Sequence, residues 1–131
     1  MNARHSVMHL ESEKSGRIRA LLEHVKMTDG VVFAVLATQD GEVVDAVQET
    51  ASATRAVQAK RLAAWGCHVK LRADEVGQRT RGGASQCVLI RGTTRQMLVL
   101  MAVRHVLVLL LKAECDAGSV ESKVRAVLRE G

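Results

Sequence analysis

Met97-Leu-Val-Leu-Met-Ala-Val103, Arg104-His105, Val106-Leu-Val-Leu-Leu-Leu111 is the stretch whose reading decides the fold. It is fifteen residues of nearly unbroken apolar sequence. A membrane-spanning helix needs roughly 20 residues with few charges. This run is shorter and carries Arg104 and His105 at its centre. Divided at that dipeptide, it becomes two strands of ordinary length, and so short a connection makes them an antiparallel hairpin. Both strands are apolar at odd and even positions alike. Alternate residues of a strand face opposite sides of its sheet, so both faces of this hairpin are covered. It is therefore expected at the centre of its sheet, with helices above and below. Ser85-Gln-Cys-Val-Leu-Ile-Arg91 adds a preceding strand across a Gly92-Thr-Thr-Arg95 turn and completes a three-strand meander.

Upstream, Ile18, Leu21, Leu22 and Val25 recur at helical spacing within residues 10–27, and Thr28-Asp-Gly30 closes that helix. Val31-Val-Phe-Ala-Val-Leu-Ala37 is a buried strand by its β-branched, apolar character. Gln39-Asp-Gly41 turns the chain, since glycine takes the positive φ a tight hairpin requires. Glu42-Val-Val-Asp-Ala-Val47 returns as an edge strand of mixed polarity. Ser52 is placed to cap a long helix reaching Val76. On that helix Gln58, Leu62, Trp65, Val69 and Val76 form one stripe, and Ala56, Ala59, Ala63 and Gly66 form a second made of small residues. One apolar face suffices for an amphipathic surface helix. The small-residue face allows another backbone to approach closely, and a twin helix across a dimer is its expected partner. Residues 77–84 read as a flexible basic loop carrying Arg79 and Arg81. After a 112–118 loop, Ser119 is placed to cap a last helix striped by Val120, Val124, Val127 and Leu128. The order α-β-β-α-β-β-β-α predicts an α/β sandwich of three layers, an antiparallel sheet flanked by helices. Residues 1–131 read as a single domain, with a loose polar arm over residues 1–9.

Composition narrows the function. Phe33 and Trp65 are the only Phe and Trp, and Tyr is absent, which removes the stacking platforms of single-strand nucleic-acid binders. The formal charge of +5 is spread along the chain. Without a helix-turn-helix or zinc signature it points to a solvated surface or an acidic protein partner, not to nucleic acid. Cys67, Cys87 and Cys115 are odd in number with no CxxC, so buried reduced thiols are expected. No apolar segment follows the N-terminal charge, and a cytoplasmic protein without membrane insertion is the expectation.

The chain carries no phosphate-binding, dinucleotide or zinc-protease motif. His5 and His9 sit four residues apart in the loose arm, too few for a structural metal site. Cys67 and His68 are adjacent and so point to different sides of a helix. His105 is expected in the tight turn beside Arg104. No catalytic residue, metal or cofactor is expected. Arg55, Lys60 and Arg61 form either a solvated helix face or a partner patch. Arg79 or Arg81 could in principle act as an arginine finger, a cation that offsets charge in phosphoryl transfer.

Gly30-Val-Val-Phe-Ala-Val-Leu-Ala-Thr-Gln-Asp-Gly-Glu-Val-Val44, with the helix before it, the Ala-rich helix, the meander and the short last helix, resembles the Roadblock family of dynein light-chain-like proteins, including its MglB-like branch. The resemblance covers residues 15–130. Cys115-Asp-Ala-Gly-Ser119 departs from the family's Asn-Leu-Gly-like approach to the last helix. The resemblance implies a five-stranded sheet with the first meander strand at one edge. It implies a homodimer in which that strand pairs with its twin and the long helices pack together, here through Ala59, Ala63, Gly66, Cys87, Val88 and Leu89. It further implies a non-catalytic regulator or scaffold for a Ras-like small GTPase, met through Arg55, Lys60, Arg61 and Trp65. For an activating member, the resemblance implies action by remodelling the GTPase's own residues. The alternative from another class is a profilin- or PAS-like module holding a small ligand, which needs a cavity with placed polar groups.

Overall fold

The structure, a computed structural model, describes residues 16–48, 55–102 and 104–130. The N-terminal arm and Ser52 lie outside the described residues. Helix α1 covers residues 16–26. Strands β1 (Val31–Thr38) and β2 (Val43–Gln48) follow, then α2 (Arg55–Arg79), β3 (Cys87–Arg91), β4 (Arg95–Ala102), β5 (His105–Lys112) and α3 (Ala117–Glu130). The strands form one five-stranded sheet in the order β2-β1-β5-β4-β3, antiparallel throughout. The order of elements, the central hairpin and the edge position of the first meander strand are as expected.

β5 is the middle strand, and its residues show why both faces had to be covered. Leu107, Leu109 and Leu111 point to one face, Val106 and Val108 to the other, and none is more than 1% exposed. The first face is closed by Leu22 and Val25 of α1 and by Ala117, Val120 and Val124 of α3. The second is closed by Ala59, Leu62 and Ala63 of α2. β1 serves both faces through a shift in register. Val31 pairs with Leu111 but Phe33 with Leu110, so Val32 is an extra residue. A bulge reverses the alternation of a strand. Val31 thus shares the α1/α3 face with Ala34 and Leu36, while Phe33, Val35 and Ala37 face α2. A second bulge lies on β2 at Val44, between Leu36 opposite Asp45 and Ala37 opposite Val43.

Some boundaries differ from the sequence expectation. His105 is not in the turn; it opens β5, paired with Ala102 on one side and Thr38 on the other. α2 runs past Val76 and through Gly77 to Arg79. Its end folds back on itself: the amides of Gly82 and Gly83 donate to the Gly77 carbonyl at 2.7 and 3.2 Å. A β-carbon on Gly77 would strike the Gly83 carbonyl oxygen, so the close approach requires glycine there. The loop expected to be flexible is therefore tied to the helix end. α3 starts at Ala117, and the Ser119 amide donates to Asp116 Oδ1 at 3.3 Å. Asp116, not Ser119, is the N-cap.

Candidate interaction surface

α2 turns Ala59, Ala63 and Gly66 inward, while Ala56, read from the sequence as part of the same stripe, is exposed. Ala59 is 3% exposed and Ala63 fully buried. A β-carbon on Gly66 would lie 3.1 Å from Val108 Cγ1 and closer still to Cγ2. The cause is volume. The sheet face beneath α2 is built from Phe33, Val35, Val106 and Val108, and a helix sits close on such a layer only where its own side chains are small. The expectation that Ala59, Ala63 and Gly66 meet a twin helix is thus corrected: their partner is the sheet of their own chain.

The face that α2 presents to solvent is the other one. Val57, Trp65, Leu71 and Val76 are 52%, 56%, 57% and 61% exposed. Arg61, Ala64 and His68 are exposed among them, and positions 57, 61, 64, 68 and 71 recur at the three- and four-residue spacing of one helix stripe, with Trp65 and Val76 on its flank. Trp65 and Val76, read from the sequence as part of a stripe with Leu62, are exposed, whereas Leu62 is buried and Val69 half-buried. An exposed apolar stripe with a tryptophan marks an interaction site, because such a surface gains most from being covered.

Among the described residues β3 pairs only with β4, which leaves its second edge open. Open edges carry unpaired amides and carbonyls and are templates for another strand. Cys87 and Val88 are half-buried, and Leu89 and Ile90 are 39% and 43% exposed. Val88 sits on the α2 side and Cys87 on the α1/α3 side. A polar lock joins this edge to α2. Asp74 Oδ1 accepts hydrogen bonds from the Ser85 amide and hydroxyl, each at 2.6 Å, and Oδ2 faces Lys70 Nζ at 2.7 Å. The hydrogen bonds from Lys70 and Ser85 hold the Asp74 carboxyl at about 2, well below its ordinary value.

The basic residues divide. Arg61 lies on the Trp65 stripe, one turn before it. Lys60 is exposed and borders a hollow lined by Val43, Val44 and Ala46 of β2. Arg55 opens α2. Arg79 ends it, and Arg81 is exposed in the loop with φ of +61°. The three cysteines are free and half-buried. Desolvation, then Asp40, pushes the Cys67 thiol up; desolvation and Glu121 do the same to Cys87, and desolvation and Asp29 to Cys115. All three are thiols at neutral pH, poorly suited to nucleophilic chemistry. Cys67 Sγ donates inward to the Thr38 carbonyl at 3.3 Å while His68 is exposed. Among the described residues no group of three or more His, Cys, Asp and Glu is arranged to hold a metal, and no helix is long and apolar enough to cross a membrane. His5 and His9 lie outside the described residues.

No family model matches the chain, and no curated protein does. Solved structures do. MglB of Myxococcus xanthus superposes with a TM-score of 0.77 at 13% identity, covering 90% of this chain and 86% of that one. The gliding protein MglB of Thermus thermophilus gives 0.74 at 17%, covering 86% and 84%. A Roadblock/LC7 domain from Streptomyces avermitilis gives 0.73 at 19%, covering 84% and 90%. Identities this low speak for backbone architecture, and on that ground the chain has the fold of the Roadblock/LC7 domains and MglB proteins.

Proposed function

We propose that this protein is a non-catalytic, homodimeric regulator or scaffold of the cytoplasm that docks a Ras-like small GTPase and alters its GTP hydrolysis or its location. The observation that carries the reading is the exposed α2 stripe together with the open β3 edge: among the described residues of a lone chain nothing covers either. In the dimer, Cys87, Val88 and Leu89 pair the β3 edge with its twin. Leu71 and Val76, on the half of α2 that Asp74 locks to β3, extend that contact. The half of α2 near β2, with Arg55, Lys60, Arg61 and Trp65, then meets the GTPase, cations at the rim and the indole at the centre as in other protein interfaces. Stimulation of hydrolysis follows if this surface binds one arrangement of the GTPase switch segments more tightly than another, a population shift set by differential affinity.

The test is a pull-down from source lysate in GDP and in a non-hydrolysable GTP analogue, read by mass spectrometry. A Ras-like GTPase enriched in one nucleotide state and lost with Arg61→Glu/Trp65→Glu supports the reading. No GTPase in either state, with folded dimeric bait, refutes it.

A further inference from the structure

The sheet face opposite α2 carries a second surface. β1 and β5 are antiparallel, with Val31 beside Leu111 and Thr38 beside His105. α1 enters β1 and α3 follows β5, so the end of α1 and the start of α3 share one end of the sheet. The start of α1 and the end of α3 share the other, and there the two helices leave an open groove of about 760 Å³. Leu36 and Ala102, 3% and 9% exposed, floor it, and Ile18, Leu21 and Leu128 form its walls. Arg104, His105, Arg125 and Arg129 rim it. Arg125 Nε is held by Glu121 at 2.9 Å. Arg104 and Arg129 are exposed and, among the described residues, stand in no ion pair with a carboxylate.

We infer that this groove is a binding site for a free single-chain carboxylate amphiphile, a medium-chain fatty acid. Its chain lies along Leu21, Leu36, Ala102 and Leu128, and its carboxylate meets the guanidinium groups of Arg104 and Arg129. The size fits, since small-ligand sites run from roughly 300 to 1,000 Å³ and are mostly apolar with a few placed polar groups. The charge fits, since the rim is cationic and guanidinium matches carboxylate in shape. A docked helix fits less well: it anchors over about two turns, and among the described residues each wall, 18–21 and 125–129, is about one turn long. The site is separate from the α2 stripe and the β3 edge, so its failure leaves the proposed function untouched.

The experiment titrates the full chain with dodecanoate below its micelle threshold, by calorimetry and by methyl NMR of labelled leucines. Dodecanol and dodecyltrimethylammonium are titrated alongside. The expected result is saturable dodecanoate binding that shifts the Leu21 and Leu128 methyls and weakens about tenfold or more in Arg104→Glu/Arg129→Glu. Dodecanol binds more weakly and ignores that double variant, and dodecyltrimethylammonium binds no better than the alcohol. Leu128→Trp, at a half-buried wall, abolishes binding of all three. Overturning results are no saturable dodecanoate binding, as when another segment fills the groove, affinity equal to that of the alcohol, or binding that survives both variants.

Discussion

Gly66→Ala adds one methyl group and tests the packing of α2 directly. In an exposed helix interior this change stabilises by about 1 kcal/mol, because alanine is the better helix former. Here the new carbon meets Val108, at 3.1 Å from Cγ1, 3.3 Å from Cβ and nearer still to Cγ2. Val108 has no route of escape. It is fully buried, paired to Val35 on one side and Val99 on the other, and β-branched, so its χ1 is stiff. Overpacking of this kind costs about 1–3 kcal/mol, and the clash with two methyls of a central residue puts it in the upper part of that range. The expected net loss is about 1–2 kcal/mol after the helix term. Guanidinium melts at one fixed protein concentration measure it, and the melting temperature drops by about 3–8 °C. Val108→Ala removes the obstructing methyls. In that background Gly66→Ala becomes neutral or stabilising, a coupling of about 2 kcal/mol between the sites. A stabilised single variant, or an equal cost in both backgrounds, refutes the inward orientation of this helix face.

Three further outcomes follow from other contacts. Asp74 has its folded value depressed to about 2, so its stabilisation is full above pH 4 and lost as pH falls toward 2; solvent screening limits it to about 1 kcal/mol, and denaturation at pH 5 and pH 2.5 shows Asp74→Asn losing correspondingly less than wild type. Gln96 is 1% exposed, and its Nε2 donates to the carbonyls of Lys112, Ala113 and Cys115 at 3.1, 3.3 and 2.7 Å. Gln96→Leu strips those carbonyls of their donor, costs about 2 kcal/mol and speeds amide exchange in residues 113–116; unchanged exchange there contradicts the role. Leu89→Lys at the β3 edge leaves the fold intact and yields monomers by light scattering, and a persistent dimer removes this edge from the interface.

The element order was legible because the strands are apolar in a way helices of this size are not. Val106 to Leu111 could only be a strand covered on both sides, and it is the centre of the sheet. The orientation of α2 was not legible. Ala59, Ala63 and Gly66 look like a spare face on a helical wheel, while Trp65 and Val76 look like core. The deciding quantity is the bulk of Phe33, Val35 and Val108 across the interface, which no periodicity within α2 encodes. Once the large residues of the sheet are counted, the small ones of the helix are their complement. Asp116 displaced Ser119 as the cap because both are good caps three residues apart, and the end of β5 decides between them. The groove under Arg104 and Arg129 drew its parts from α1, β1, β4, β5 and α3, so no local pattern announced it.

The two rims of the sheet are unequal, and this sets how far copies can accumulate. β2 is interrupted by the Val44 bulge, and its Asp45 is occupied by Arg19 at 2.6 Å; such an edge accepts no added strand. Among the described residues β3 has neither guard. In the proposed dimer, growth by edge pairing therefore stops after a single union about a twofold axis, since each copy has spent the one open rim of its described strands. Excising Val44 and replacing Asp45 with an apolar residue would supply a second rim, and a closed pair would become the repeat of an open-ended filament.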